Sequence, residues 1–139
     1  MIAVNLRALF HFAQLATPNM RARRWGRIIN ISSQLAYKGA PGLTHYCAAK
    51  AGVVGLTRAL AIELAGSGIL VNAIAPGMTE TQLSEGLTDD WKARKLSELP
   101  IRRFGTPGEI APTAVLLASS DGDFYVGQTL SPNGGDVFL

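Results

Sequence analysis

The chain has 139 residues, enough for one domain, and with 47% hydrophobic and 17% charged residues it can bury a core. A single cysteine, Cys47, excludes an intrachain disulfide and fits a reducing, cytoplasmic setting. The net charge of +3 is modest, and Arg21, Arg23, Arg24 and Arg27 read as a solvated helix end, so no nucleic-acid partner is expected.

No membrane partner is expected either, because the apolar stretch 48–64 is interrupted by Lys50, Arg58 and Glu63. Residues 1–15 carry Asn5, Arg7 and His11 and do not read as a signal peptide.

Helical and extended patterns alternate along the chain, which predicts an α/β fold with parallel strands. Residues 2–22 read as a helix on Val4, Leu6, Leu9, Phe10, Ala13 and Ala16, kinked at Pro18, with the helical region ending at Gly26. Residues 27–31 are a β-branched run expected of a strand buried on both faces. Residues 32–42 read as a loop, with Gly39, Pro41 and Gly42.

A long helix is predicted over 44–65, where Ala48, Ala49, Ala51, Gly52, Gly55 and Ala59 let another backbone approach closely; Gly66 and Gly68 stop it. Residues 69–75 form a second buried strand, ended by Pro76-Gly77. Residues 78–100 read as a long connection holding a short helix that starts at Thr88, with Asp89 and Asp90 in its first turn. Thr106-Pro107-Gly108-Glu109 is a strong start signal for a helix to about Ser119. Residues 128–131 are a weak strand candidate, closed by Asn133-Gly134-Gly135.

Ligands of open parallel sheets sit beyond the carboxyl ends of the strands. Ser32 and Ser33 end the first predicted strand and Pro76 to Thr79 follow the second, so both are expected to face one crevice. Tyr46 and Lys50 are one helical turn apart, which puts them on one face. A tyrosine of pKa about 10 needs about 4 kcal/mol to become a base near neutral pH. A cation about 4 Å away supplies roughly that much at an effective dielectric of 20. Lys50 therefore has the right magnitude to activate Tyr46.

The run 28–33, Ile-Ile-Asn-Ile-Ser-Ser, followed by Tyr46-Cys47-Ala48-Ala49-Lys50-Ala51-Gly52, resembles the active-site strand and helix of the short-chain dehydrogenase/reductase family. The likeness continues through 71–77, 103–111 and 133–135, and within the family is strongest to the 3-oxoacyl-carrier-protein reductase type. The resemblance implies a Rossmann-like doubly wound parallel sheet over residues 1–139, incomplete, with three candidate strands and flanking helices.

It also implies an NAD- or NADP-dependent oxidoreductase that moves hydride between nicotinamide and a carbonyl or secondary alcohol. Tyr46 would be the general acid or base, and Lys50 would lower its pKa and bind the nicotinamide ribose. Ser33 would polarise the substrate oxygen. Asn5 would hold a proton-relay water by way of Lys50. Pro76, Gly77, Met78, Thr79 and Thr81 would approach the nicotinamide carboxamide. The long helix and the Asn5 helix resemble those that pair between subunits in this family, which implies a homo-oligomer, a dimer or tetramer.

The family's glycine-rich dinucleotide turn is not found, so the resemblance begins partway through the pattern, at the helix carrying Asn5. The first strand is then expected to show an open edge. A truncated, non-catalytic oligomer partner stands as the alternative function. Ser32 is expected to satisfy backbone groups, Asn72 to be structural and Cys47 to be a small buried thiol. His11 and His45 lack the companions of a metal site, so no metal is expected. Leu83, Leu87 and Trp91 could form an apolar lid over the substrate or a packed surface helix.

Overall fold

The computed structural model describes residues 1–138, apart from the side chain of Leu83. Three parallel strands form one sheet in the order β1-β2-β3: β1 is Gly26–Ile31, β2 is Ile69–Ile74 and β3 is Thr129–Leu130. β1 and β2 pair over their whole length, from Gly26 opposite Ile69 to Ile31 opposite Ile74. β3 joins opposite Ala73 and Ile74. β2 is central and almost wholly buried, as its unbroken apolar run requires. β1 lies at the sheet edge, as expected, but it is not buried on both faces as its β-branched run suggested: Arg27, Ile28 and Ile29 are half-buried and Ile31 is about half exposed, because an edge strand lacks a neighbour to cover it.

The first helix covers its predicted residues, 2–22, but departs from an ordinary α-helix at its start. It opens with a π-helical turn, Ala3–Arg7, and continues as α1, Ala8–Ala22, which runs through Pro18 without a break. It ends before Gly26, because Arg24 takes the left-handed conformation at φ 52° and the Trp25 amide closes back on the Met20 carbonyl at 3.2 Å. Gly26 instead opens β1. The arginines are not one solvated cluster: Arg27 lies in β1, pairs with Asp123 and stacks over Trp25.

The predicted loop over 32–42 contains a short helix, α2, Leu35–Lys38. The long helix α3, Thr44–Leu64, crosses from β1 to β2 and buries Ala49, Lys50, Val53, Val54, Thr57, Ala61 and Leu64, a stripe with helical spacing. Ala61 and Leu64 pack on Ile69 and Val71 of β2, with Met20, Ile28 and Leu60 around them. Each large apolar side chain buried this way contributes about 1.5–3 kcal/mol. A 3-10 turn, Ala65–Ser67, leads to Gly68 at φ 78°, where any side chain would strike the Arg24 carbonyl.

The connection after β2 holds two helices rather than the one predicted: α4, Gln82–Glu85, and α5, Asp89–Glu98, capped by the Thr88 hydroxyl. Helix α6, Pro107–Ala118, starts at the predicted capping box, with the Thr106 amide donating to Glu109 at 2.9 Å. Asn72 is structural, as expected. Its side chain is buried in β2, donates to the Tyr125 carbonyl at 2.7 Å and accepts from the Gln128 amide at 2.9 Å, guiding the chain into β3.

Candidate active site

The carboxyl ends of β1 and β2 meet through the Ser32 amide, which donates to the Ile74 carbonyl at 2.7 Å, and the Gln34 amide, which donates to that of Pro76 at 3.1 Å. The two predicted site segments therefore do adjoin.

The two serines are chemically distinct. The Ser32 hydroxyl donates to the carbonyl of Lys50 at 2.8 Å, so its proton is committed to tying the strand end to α3. The Ser33 oxygen instead accepts from the Leu35 amide at 3.1 Å. Among the described residues its O–H has no acceptor, so it is free to donate to another oxygen. Both serines are buried.

Lys50 is buried at the start of α3, and its ammonium donates to the Ile31 carbonyl at 2.9 Å. Burial pushes its pKa below the ordinary lysine value. Its Nζ lies 5.6 Å from the centre of the Tyr46 ring. Tyr46 is half-buried, and among the described residues its hydroxyl has no hydrogen-bond partner. Cys47, expected to be buried, is only half-buried, since α3 turns its side toward the surface there.

Asn5 lies in the middle of the π-helical turn, a local widening that often marks functional positions. Its side-chain amide donates to the Met1 carbonyl at 3.3 Å. No hydrogen bond joins it to Lys50 among the described residues, but its segment packs on α3: a Cβ on Gly52 would lie 2.6 Å from the Leu6 side chain.

After β2, Gly77 leaves no room for a side chain, because a Cβ would fall 2.6 Å from the Asn133 Cα. The Met78 carbonyl accepts from the Gly105 amide at 3.0 Å, and the Glu80 amide donates back to Gly105 at 2.8 Å. Among the described residues the Met78 and Thr79 amides between them donate to no protein group. Met78, Thr79, Ile101, Arg103, Asn133 and Gly134 line a cleft of about 160 Å³. Thr81 stands at the start of α4, its amide donating to the Ser84 hydroxyl at 3.0 Å, a capping role that the sequence did not reveal. Of the possible lid, Trp91 and Leu87 are half-buried, and the Leu83 side chain lies outside the described residues.

One polar cluster beside the site was missed. The carboxylate of Asp136 receives the side chains of Gln34, Lys38 and Lys95 at 2.6, 2.7 and 2.8 Å. No spacing signal could have found it, since Asp136 is about a hundred residues from two of its partners. Among the described residues no group of His, Cys, Asp and Glu could hold a metal ion.

Parallel strands flanked by helices, with the polar groups gathered at the carboxyl ends, define a partial Rossmann-like α/β fold. The chain belongs to the short-chain dehydrogenase/reductase family: residues 1–136 match the family described as enoyl-(acyl carrier protein) reductase. It is 47% identical over 131 residues to the 3-oxoacyl-[acyl-carrier-protein] reductase FabG of Haemophilus influenzae, covering 94% of this chain and 54% of that protein. It is 47% identical over 134 residues to nodulation protein G of Azospirillum brasilense, covering 96% and 54%. The crystal structure of the 3-oxoacyl-[acyl-carrier protein] reductase from Brucella melitensis superposes with a TM-score of 0.92 at 35% identity, covering 96% of this chain and 51% of that one. The chain thus spans about half the length of the curated relatives it matches, their carboxy-terminal part.

Proposed function

We propose that residues 1–139 form the catalytic part of an NAD- or NADP-dependent oxidoreductase acting on a carbonyl or secondary alcohol, with a 3-oxoacyl thioester as the preferred substrate class. The observation that carries this reading is the division of labour between the serines: Ser32 anchors Lys50, while Ser33 keeps a free O–H at the same strand end. The names of the relatives support the 3-oxoacyl class.

The nicotinamide end of a dinucleotide suits the residues present. The unpaired amides of Met78 and Thr79 could donate to a carboxamide oxygen, and Pro76 and Gly77 hold that turn against Asn133. Thr81, one turn on, borders the same segment. Lys50 and Tyr46 would hold the ribose hydroxyls. When bound, the dinucleotide supplies or accepts the hydride.

Ser33 donates to the substrate oxygen and stabilises the negative charge that grows there. Tyr46 gives its phenolic proton to that oxygen in reduction and takes it back in oxidation. Lys50 sets a positive charge beside the half-buried Tyr46 ring, partly shielded from water, where it acts more strongly than in solution. Asn5 holds the water through which the proton is replaced by way of Lys50.

A second reading, a non-catalytic oligomer partner, is favoured by the outer face of α3. Ala48, Ala51, Gly55, Ala59 and Ile62 recur at helical spacing and are all exposed, a small apolar stripe suited to close packing against a second copy. A homo-oligomer is compatible with both readings. We place the protein in the cytoplasm on the strength of its single free cysteine; no helix among the described residues is long and apolar enough to cross a membrane.

The test is a fluorescence titration of the 139-residue chain with NADH and NADPH, followed by turnover of 3-oxoacyl thioesters. Saturable binding with turnover supports the oxidoreductase. Folded oligomers with neither support the second reading.

A further inference from the structure

Helix α5 lies in the segment after β2 that borders the crevice, yet none of its residues is fully buried. Its apolar residues Trp91 and Leu96 are only half-buried, and Leu99 at its end is its buried anchor. Its strongest polar tie is Lys95, whose ammonium spans both oxygens of Asp136, at 2.8 Å to Oδ1 and 2.7 Å to Oδ2. The same carboxylate receives Lys38 of α2 at 2.7 Å on Oδ1 and the Gln34 side-chain amide at 2.6 Å on Oδ2. Gln34 directly follows Ser33.

The Asp136 side chain is only 4% exposed and that of Lys95 only 11%, so this ion pair is shielded from water and weakly screened by salt. An ionised carboxylate accepts and never donates. It therefore also fixes the Gln34 amide, with Nε2 toward Asp136, and leaves Gln34 Oε1 buried without a partner among the described residues. One side chain, that of Asp136, thus joins the residue after the serine, the short helix α2 and helix α5.

We infer that Asp136 is a positioning residue: it sets the place of α5 against Gln34 and α2, and so the shape of the substrate side of the crevice. This rests on the oxidoreductase reading for its functional consequence, but the structural part is measurable without turnover. Asp136 touches neither Tyr46 nor Lys50 among its hydrogen-bond partners, so it acts on where the substrate lies and leaves proton transfer to the Tyr46 pair.

Amide hydrogen exchange on the 139-residue chain tests the latch with three variants. In Asp136→Asn, exchange over α5 and α2 should rise about tenfold or more while α3 keeps its protection. In Lys95→Met only α5 should loosen, and in Lys38→Met only α2. A purely structural defect would instead raise exchange throughout α3 in all three, and that result, or unchanged exchange over α5 in both Asp136→Asn and Lys95→Met, overturns the inference.

In turnover of acetoacetyl-coenzyme A, Asp136→Asn and Lys95→Met should raise KM about tenfold with kcat nearly kept and NAD(P)H affinity unchanged. A fall in kcat at constant KM would also overturn it. If the wild-type chain turns nothing over, the oxidoreductase reading fails, and the exchange pattern alone decides whether Asp136 holds α5.

Discussion

The ammonium of Lys50 donates to the backbone carbonyl of Ile31 at 2.9 Å, while the Ser32 hydroxyl donates to the backbone carbonyl of Lys50 at 2.8 Å. The strand end and the helix thus hold each other by reciprocal bonds. The lysine that stands beside Tyr46 is fixed by the same strand that presents Ser33.

Tyr46→Phe removes only a hydroxyl that has no partner among the described residues. Turnover of the active protein should fall about 10²–10⁴-fold, the usual contribution of a positioned general acid, with the melting temperature nearly unchanged. Steady-state kinetics and thermal unfolding on the same sample check both halves. Full turnover would sink the assignment of the proton donor.

Ser32→Ala and Ser33→Ala should behave differently although they are neighbours. Ser32→Ala loses the tie to α3 and should cost about 1 kcal/mol of stability, since the Lys50 carbonyl lies within a helix and keeps its helical acceptor role. Ser33→Ala removes the acceptor of the Leu35 amide and should also cost about 1 kcal/mol of stability, but it should in addition lower kcat about 10²-fold or more. Denaturant unfolding and kinetics on the pair separate the roles, and equal effects on kcat would contradict them.

Gly77→Ala places a methyl 2.6 Å from the Asn133 Cα, which is backbone and cannot rotate away. The turn should shift, costing about 1–3 kcal/mol and weakening nicotinamide binding through the displaced Met78 and Thr79 amides. Thermal unfolding and a nucleotide titration measure the two effects.

Glu109 accepts from both nitrogens of the Arg103 guanidinium and from the Thr106 amide, and these hold its pKa down to about 2 from an ordinary value of 4.5. A depressed folded-state pKa means that the unfolded chain binds the proton first as pH falls. The stabilisation is therefore full above the ordinary carboxylate range and is lost as pH drops through about 2. Glu109→Gln should melt below wild type at pH 7, and the two curves should converge near pH 2. Both side chains of the pair are exposed, so added salt should narrow the gap at pH 7.

The elements that periodicity and capping specify were legible in the sequence. The buried run of β2, the extent of α3 and the Thr106–Glu109 box each depend on residues close in the chain, and each formed where predicted. Short elements were not: α2 and α4 are one turn long, too short to show a period. Arg24 was passed over as a helix stop because glycine is the expected residue at a left-handed position, and here the Trp25 to Met20 bond holds a non-glycine there.

The candidate site divides in the same way. Tyr46 and Lys50 could be paired from sequence because one helical turn brings them together, and Ser33 could be placed because strand ends define the crevice. That Ser32 would serve the backbone and Ser33 the substrate was implied only by the family resemblance; periodicity could not supply it, since it depends on where the Lys50 carbonyl and Leu35 amide fall in space. Nor could the gathering of Gln34, Lys38 and Lys95 on Asp136 be foreseen. Local spacing dictates helices, strands and the faces they present; a contact between residues a hundred positions apart exists only once the sheet and its helices have packed.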